Sequence, residues 1–283
     1  MRHGDFAAFI LTHGRPDNIK TEKSLRSHGY TGRVFLVCDT DDERLDEYRA
    51  RFGKRVLVFN KRDIDCDTGW NRTDAASPLQ ARNACFDFAR LLGLRYFVEL
   101  DDDYSRFDFR IIRNGTLPGQ SIRRLDFVFD AFLDFLDCDE RIATVSFAQA
   151  GDFIGGAESC DVRSEKFYRK AMNVFFCRTD RPIGFRNIFN DDVSTYVYWG
   201  GLGRIFTQCG FAAIVQGETQ QHAGGITEAY RKFGTFTKSF FTVMVAPSCV
   251  KVQGMGETHY RMHHKIDWPR CFPKILSEKW RRT

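Results

Sequence analysis

Asp101, Asp102 and Asp103 stand in a row after the apolar run Tyr96-Phe97-Val98, with Leu100 just before them. Three carboxylates at the end of a buried strand repel one another and are costly to desolvate. A turn that caps a helix is their plainest use, since Asp suits both. Three acids are more than a turn needs. A hard divalent cation, Mn2+ or Mg2+, would offset the cost, because such ions take oxygen ligands and are often held by one or two carboxylates plus substrate phosphates. Asp101 and Asp103 have the D-x-D spacing that puts both side chains on one face of an extended segment. The expectation is a metal site built on these two residues.

The elements that must position this cluster are legible around it. Phe6–Thr12, Arg33–Cys38, Arg55–Phe59 and Arg95–Leu100 read as strands. Between them, Asn18–His28 and Asp41–Phe52 read as helices, the first with Asp17 or Asn18 as cap and Gly29 as stop. A third helix opens at Ser77-Pro78 and ends at Gly93. Strands alternating with helices predict an α/β fold with a mostly parallel sheet. Ligands in such sheets bind beyond the carboxyl ends of the strands. Thr12, Cys38-Asp39, Asn60-Lys61 and Asp101–Asp103 are therefore expected along one rim. Arg82, in "QARN", lies in the first turns of the third helix, where its positive end faces that rim and a substrate phosphate is a fitting partner.

The second half is less regular. Leu125–Leu136 reads as a helix, and Ile142–Phe147, Lys170–Cys177 and Phe211–Val215 read as strands. Asn190 to Tyr198 reads as entering a helix, and Gln149–Gly156 and residues 216–225 read as loops. Gly155-Gly156, with Asp152 nearby, suits a mobile loop or a plain surface turn. Trp70, Trp199 and Trp268 suit contact with sugar or base, with core packing the commoner use of such rings. His259 and His263 have the i, i+4 spacing of one helix face, and His264 follows directly.

"ARN", a helix, a strand and then "DDD" resembles the core layout of nucleotide-sugar glycosyltransferases of the GT-A fold. The resemblance widens at Met172–Phe176, Phe189–Val193, Thr219–Gln221, Gly224–Glu228, Gly234–Phe240 and Pro273–Leu276, which look like the phage TET/JBP-associated glycosyltransferases. It covers nearly the whole chain, from Phe6 to Leu276. It implies a single GT-A-like, Rossmann-type domain over residues 1–283, with a nucleotide-sugar-binding half (1–105) and an acceptor-binding half (106–283). It also implies a nucleoside-diphosphate sugar, a UDP-sugar by expectation, as donor. The implied acceptor is the hydroxymethyl group of 5-hydroxymethylcytosine or 5-hydroxymethyluracil in phage DNA.

The resemblance assigns roles to residues. Asp101 and Asp103 match the metal motif, and a C-terminal histidine, His263 or His264, is implied as a further ligand, with His222 as a rival. Asp39 matches the position that contacts base or ribose, with Thr12, Arg15, Lys61, Arg82 and Asp102 as further donor-binding candidates. Asn190-Asp191-Asp192 corresponds to an acidic motif that is usually Asn-Glu-Asp, so the middle acid here is one methylene shorter. Asp191 or Asp192 would take the acceptor's proton. The same run also suits a helix N-terminus, and the two carboxylates are not ranked by sequence.

Composition narrows the rivals. The chain is 43% hydrophobic and 28% charged, which suits a folded domain rather than a disordered one. The net charge of +5 permits a polyanionic partner. Between Glu257 and Thr283, seven Lys and Arg residues stand against three acids, as expected of a phosphate-following segment or of a solvated tail. Nine scattered cysteines with no C-x-x-C pair predict reduced core thiols in a cytoplasmic protein. The apolar run Phe6–Leu11 is too short to span a membrane. A metal-dependent nuclease would use the same acids and histidines but need no sugar nucleotide. A catalytically dead nucleic-acid-binding module would not need the D-x-D pair. Sugar-nucleotide synthesis would want a glycine-rich phosphate loop, which His13-Gly14-Arg15-Pro16 does not provide. A dinucleotide-dependent dehydrogenase is disfavoured because no G-x-G-x-x-G follows the first strand.

Overall fold

The computed structural model describes residues 4–69, 77–158, 170–216, 226–255, 260–271 and 278. Among them the first half runs β1 (Phe6–Leu11), α1 (Lys20–Ser27), β2 (Arg33–Asp39), α2 (Leu45–Phe52), β3 (Val56–Phe59), α3 (Leu79–Leu91) and β4 (Tyr96–Asp101). The second half runs β5 (Tyr104–Arg110), β6 (Gly119–Ser121), α4 (Leu125–Asp137), β7 (Ile142–Ala148), β8 (Phe175–Arg178), α5 (Asp191–Gly201), β9 (Ile205–Gln216), α6 (Ile226–Val245), β10 (Val250–Met255) and β11 (Arg261–Ile266).

Strands β1 to β9 form one sheet in the order β3-β2-β1-β4-β8-β7-β9-β5-β6. The first four are parallel, as the alternating pattern predicted. Every residue of β1 is buried, which explains its unbroken apolar run. Leu11 lies opposite both Val37 and Asp101, and Asp39 lies opposite Phe59. This register brings Thr12, Asp39, Lys61 and the acidic triplet to one rim. Beyond β4 the sheet is mixed. Strand β8 is antiparallel to β4 and β7, β7 is parallel to β9, and β5 is antiparallel to β9 and β6.

The two faces of the sheet carry separate cores, as the period of two along each strand requires. Phe6, Ala8 and Ile10 join Leu25 of α1, Tyr48 of α2 and Phe129 of α4 on one face. Ala7, Phe9 and Leu11 join Ala84 of α3, Val193 of α5 and Phe241 of α6 on the other. Phe129 packs edge-on against Phe176 at 4.9 Å between centroids. Trp199 and Trp268 pack against the second core, which agrees with the structural use of those rings. Trp70 lies outside the described residues.

Several local expectations are corrected. Helix α1 starts at Lys20, and Ile19 precedes it with no side-chain cap. Gly29 does close that turn, with φ +85°, and a Cβ there would meet the Arg123 carbonyl oxygen at 2.6 Å. Helix α2 is shorter than expected because Asp41 to Arg44 form turns tied to Asp39 and Asp42. Strand β8 begins only at Phe175, and β9 begins at Ile205, well before Phe211. His263 lies on a strand, β11, so no helix face joins it to residue 259, which is outside the described residues. Cys249 and Cys271 are joined in a disulfide, whereas all nine cysteines were expected reduced. Residues 249 and 271 flank the β10–β11 hairpin, where a hydrogen bond from Asp267 N to Cys249 O already closes the chain on itself. Among the described residues, no helix is long and apolar enough to cross a membrane.

Candidate active site

The acidic triplet is a tight turn between β4 and β5, and one side chain fixes it. Thr21 Oγ1 donates to the Asp101 carbonyl at 2.5 Å and accepts from Tyr104 N at 2.9 Å. Thr21 N also donates to the Asp102 carbonyl at 3.1 Å. Nothing in the sequence singles Thr21 out, because its contacts lie about eighty residues away. Asp102 points away from Asp101 and is buried. Thr12 Oγ1 donates to its Oδ2 at 2.7 Å, and the Arg15 guanidinium reaches its Oδ1 at 3.2 Å. Tyr48 locks the same corner, meeting Thr12 Oγ1 at 2.8 Å and accepting from Arg15 N at 2.8 Å. Thr12, Arg15 and Asp102 are therefore one unit.

At the end of β2, Asp39 Oδ2 meets His13 Nδ1 at 3.0 Å and Lys61 Nζ at 3.2 Å. Burial would raise the Asp39 carboxyl, but the His13 hydrogen bond and the Lys61 ammonium outweigh it and hold the group below the usual value. The same bond to Asp39 raises His13. Asp39 Oδ1 accepts from Asp41 N at 2.8 Å. His13 belongs to the polar turn that the sequence marks, but its role emerges only from the register of β1 and β2.

Arg82 is the centre of the second cluster. On the face of β4 that meets α3 and α5, its Nε donates to Asp191 Oδ2 at 2.8 Å. Its two terminal nitrogens reach Glu99 Oε2 at 3.4 Å and Asp101 Oδ1 at 3.5 Å. The guanidinium also lies over the Phe175 ring at 4.7 Å. Its side chain is only 3% exposed. This corrects the expectation of an Arg82 that meets a substrate phosphate. The side chain turns inward because three carboxylates from β4 and α5 surround it. The neighbouring Asn83 is structural too, clamping the main chain at Phe185 in both directions, at 3.0 and 3.1 Å.

Glu99 is fully buried within the apolar run, and one of its oxygens has no partner. Burial pushes its carboxyl up to about 8, against the pull of Arg82. Burial likewise pushes Asp101 up to about 7, with Arg82 opposing and Asp103, Asp102 and Asp191 adding to the rise. Asp101 is the member of this set that also reaches solvent, with its side chain 33% exposed. Sequence reading missed Glu99; the signal that could have found it is an acidic residue inside the apolar run "YFVELD".

Asn190 turns the chain into α5 through a left-handed conformation, φ +49°, which Asn tolerates better than most residues. Its amide donates to the Lys238 carbonyl at 3.0 Å, to Thr242 Oγ1 at 3.2 Å and to His264 Nδ1 at 3.3 Å. Burial drives His264 down to about 3, so its ring is neutral and free to accept. Asp192 follows Asp191 but makes no ion pair with Arg82. Burial, then the adjacent Asp191, push Asp192 up to about 6, while the Val193 N–H, Arg82 and Lys238 oppose the rise. The structure does not bring His263 to Asp101 and Asp103. Among the described residues, no three His, Cys, Asp or Glu side chains are grouped to hold a metal ion. The reason is the hairpin: the pleat puts His263 on the same side as Arg261 and Lys265, away from the side on which His264 meets Asn190. His222 lies outside the described residues.

A sequence model of TET-associated glycosyltransferases matches residues 6–225, more than three quarters of the chain. The chain belongs to the TET-associated glycosyltransferase family. Its reaction class is therefore glycosyl transfer. Comparison with curated protein sequences yields no match. Among solved structures, the chain is similar to glucosyl-3-phosphoglycerate synthase from Mycobacterium tuberculosis, solved with Mg2+ and uridine diphosphate. That match has 9% identity and a TM-score of 0.44, covering 93% of this chain and 87% of the other. It is also similar to a mannosyltransferase from Pyrobaculum calidifontis, solved with GDP-mannose and Mn2+, at 13% identity and a TM-score of 0.48, covering 80% and 60% of the two chains. A third, TarS 1–349 of S. aureus with UDP, has 12% identity and a TM-score of 0.43, covering 74% and 59%.

Two outcomes follow for this glycosyltransferase. Arg82→Ala leaves buried carboxylates without their counter-charge and should cost about 3–5 kcal/mol, read from the denaturant midpoint. Glu99 binds its proton more tightly in the folded state, with a value of about 8 against an ordinary 4.5. Between those two values the folded state holds more protons than the unfolded state, so stability falls as pH rises through that window. Glu99→Gln should flatten the stability curve there, measured by denaturant titration at a series of pH values.

Proposed function

We propose that this glycosyltransferase moves a sugar from a nucleoside-diphosphate sugar, a UDP-sugar by preference, to the hydroxymethyl group of 5-hydroxymethylcytosine or 5-hydroxymethyluracil in DNA. The observation that carries the reading is the Arg82 ion-pair cluster. It joins the end of β4, where a diphosphate would be held, to the start of α5, where an acceptor would be activated. The first 105 residues supply the donor side of this arrangement and the later residues the acceptor side.

The Asp39, His13 and Lys61 group suits the base and ribose, offering hydrogen-bond partners of both kinds at the end of β2. Arg15, half exposed beside Asp102, is the cation best placed for a phosphate oxygen. The donor set around Asp101 and Asp103 consists of carboxylate oxygens, with Asp101 raised by burial and then by its acidic neighbours, and this fits a hard cation. Two carboxylates leave room for diphosphate oxygens and water to complete the coordination. Asp101 and Asp103 would hold Mn2+ or Mg2+, which when bound supplies positive charge to the departing diphosphate.

In the reaction, the acceptor oxygen forms a bond to the anomeric carbon. The bond from that carbon to the diphosphate oxygen breaks, and the nucleoside diphosphate leaves. The hydroxyl proton passes to a carboxylate. Asp192 suits this step better than Asp191. Asp191 is committed to Arg82, whereas Asp192 has a value of about 6, close to what a base working near neutrality requires. Asp191 instead fixes the start of α5. Base flipping is expected if the acceptor is duplex DNA, since a hydroxymethyl group inside the stack is hard to reach.

The test incubates the protein with a panel of sugar nucleotides, Mn2+ or Mg2+, and DNA containing either hydroxymethylated base. Mass spectrometry of the digested nucleosides should show one added sugar. No added mass in any combination, with folded protein, would overturn the DNA acceptor. Asp192→Asn should lower kcat by about 10²–10⁴-fold with little change in stability.

A further inference from the structure

The β10–β11 hairpin shows one side to the molecule and the other to solvent. Val250 and Ile266 pack with the second core, and His264 meets Asn190. The pleat therefore places Lys251, Gln253 and Met255 on the outward side, opposite Lys265, His263 and Arg261 in register. These six positions hold three permanent cations and no carboxylate. Lys251, Arg261 and Lys265 are all exposed.

Lys251 and Lys265 face each other directly across the ladder. Like charges in that position destabilise a strand pair. Elsewhere on the described surface, exposed arginines commonly sit beside carboxylates: Arg44 with Asp17 and Glu47, Arg49 with Asp46, and Arg90 with Asp87. In the other basic hairpin, β5–β6, Arg106 follows the same habit on Asp108, while Arg113 donates to the neutral amide oxygen of Gln120. No described carboxylate pairs with Lys251, Arg261 or Lys265. The outward side of β10–β11 is thus a charged face whose repulsion no described carboxylate relieves.

The hairpin adjoins the site: on its inward side His264 Nδ1 meets the amide of Asn190, the residue before Asp191 and Asp192, and the Met262 carbonyl accepts from Ser239 Oγ at 3.3 Å. Arg261 and Lys265 are about 13 Å apart along the strand, at about 3.3 Å per residue. That matches about four nucleotides of a B-form strand, at about 3.4 Å each.

We infer that the outward face of the β10–β11 hairpin, through Lys251, Arg261 and Lys265, binds the phosphate backbone of the acceptor nucleic acid beside the candidate active site. This rests on the DNA acceptor proposed above, and it names the surface that holds the strand.

Fluorescence anisotropy of labelled DNA, titrated at a series of salt concentrations, tests it. Lys251→Gln with Lys265→Gln should weaken binding and reduce the salt slope by about 1.8 on duplex or about 1.4 on single strands, as two lost phosphate contacts require. Adding Arg261→Gln should reduce the duplex slope by about 0.9 more. Arg106→Gln with Arg113→Gln should leave the slope unchanged. The double lysine variant should keep the wild-type Tm or exceed it, because a like-charge pair is removed. It should also transfer sugar to a free hydroxymethylated nucleoside at the wild-type rate. A folded double variant that keeps the wild-type slope, or a slope lost only in the β5–β6 variant, would overturn the inference. So would a wild-type protein that binds no nucleic acid. A wild-type protein that binds DNA through this face but transfers no sugar would instead overturn the proposed reaction and leave the surface standing.

Discussion

A guanidinium cannot give up its proton at any pH the protein meets, so a buried one must be surrounded by acceptors. Arg82 is in that position, under the Phe175 ring and within reach of Glu99, Asp101 and Asp191. Desolvating each of these ions costs several kcal/mol, and only close mutual contact offsets it. The requirement draws α3, β4 and α5 to one point. The end of β4 and the start of α5 cannot drift apart without exposing or stranding a charge. Glu99 relieves part of the load by favouring its protonated form, which leaves Arg82 chiefly to Asp101 and Asp191.

The rest of the rim sorts its acids by partner. Asp39 is held ionised by His13 and Lys61, and Asp102 is engaged by Thr12 and Arg15. Burial lifts the Asp101 carboxyl, the shared Arg82 opposes the rise, and the neighbouring acids add to it. Asp192 makes no ion pair with that arginine and rises as well. Burial raises Asp102 as well, so partners rather than titration separate these acids: Asp39 and Asp102 each have a cation of their own, whereas Asp101 shares Arg82 and Asp192 makes no ion pair with it. The proposed transfer would use Asp101 to hold a cation and Asp192 to accept a proton.

The parallel half was legible because its signals are local. Apolar runs of four to six residues, polar turns and a capping Ser77 fix the strands, and the parallel register then places their ends together. The acidic triplet was legible for the same reason, as was its link to the glycosyltransferases. Side-chain direction was not. A helix position near the rim does not say whether Arg82 points to solvent or inward; that depends on Glu99 and Asp191, which arrive from other parts of the chain. The purpose of Asp102 emerged only when β1 came beside β4 and supplied Thr12. The mixed half depends on pairings between distant segments, and in the β10–β11 hairpin the i, i+4 spacing suggested a helix face for His263 where the fold makes a strand. The pairing of Cys249 with Cys271 is of the same kind, since neither sits in a recognisable motif.

Asp101 and Asp103 are proposed to hold a divalent cation against the donor's diphosphate. Isothermal titration calorimetry of uridine diphosphate, with and without Mn2+, tests it most directly in the wild-type protein and in Asp103→Ala. Mn2+ should tighten uridine diphosphate binding at least tenfold in the wild type and leave the variant's binding unchanged. Equal affinity with and without Mn2+ in the wild type, or a full Mn2+ effect in the variant, would contradict it.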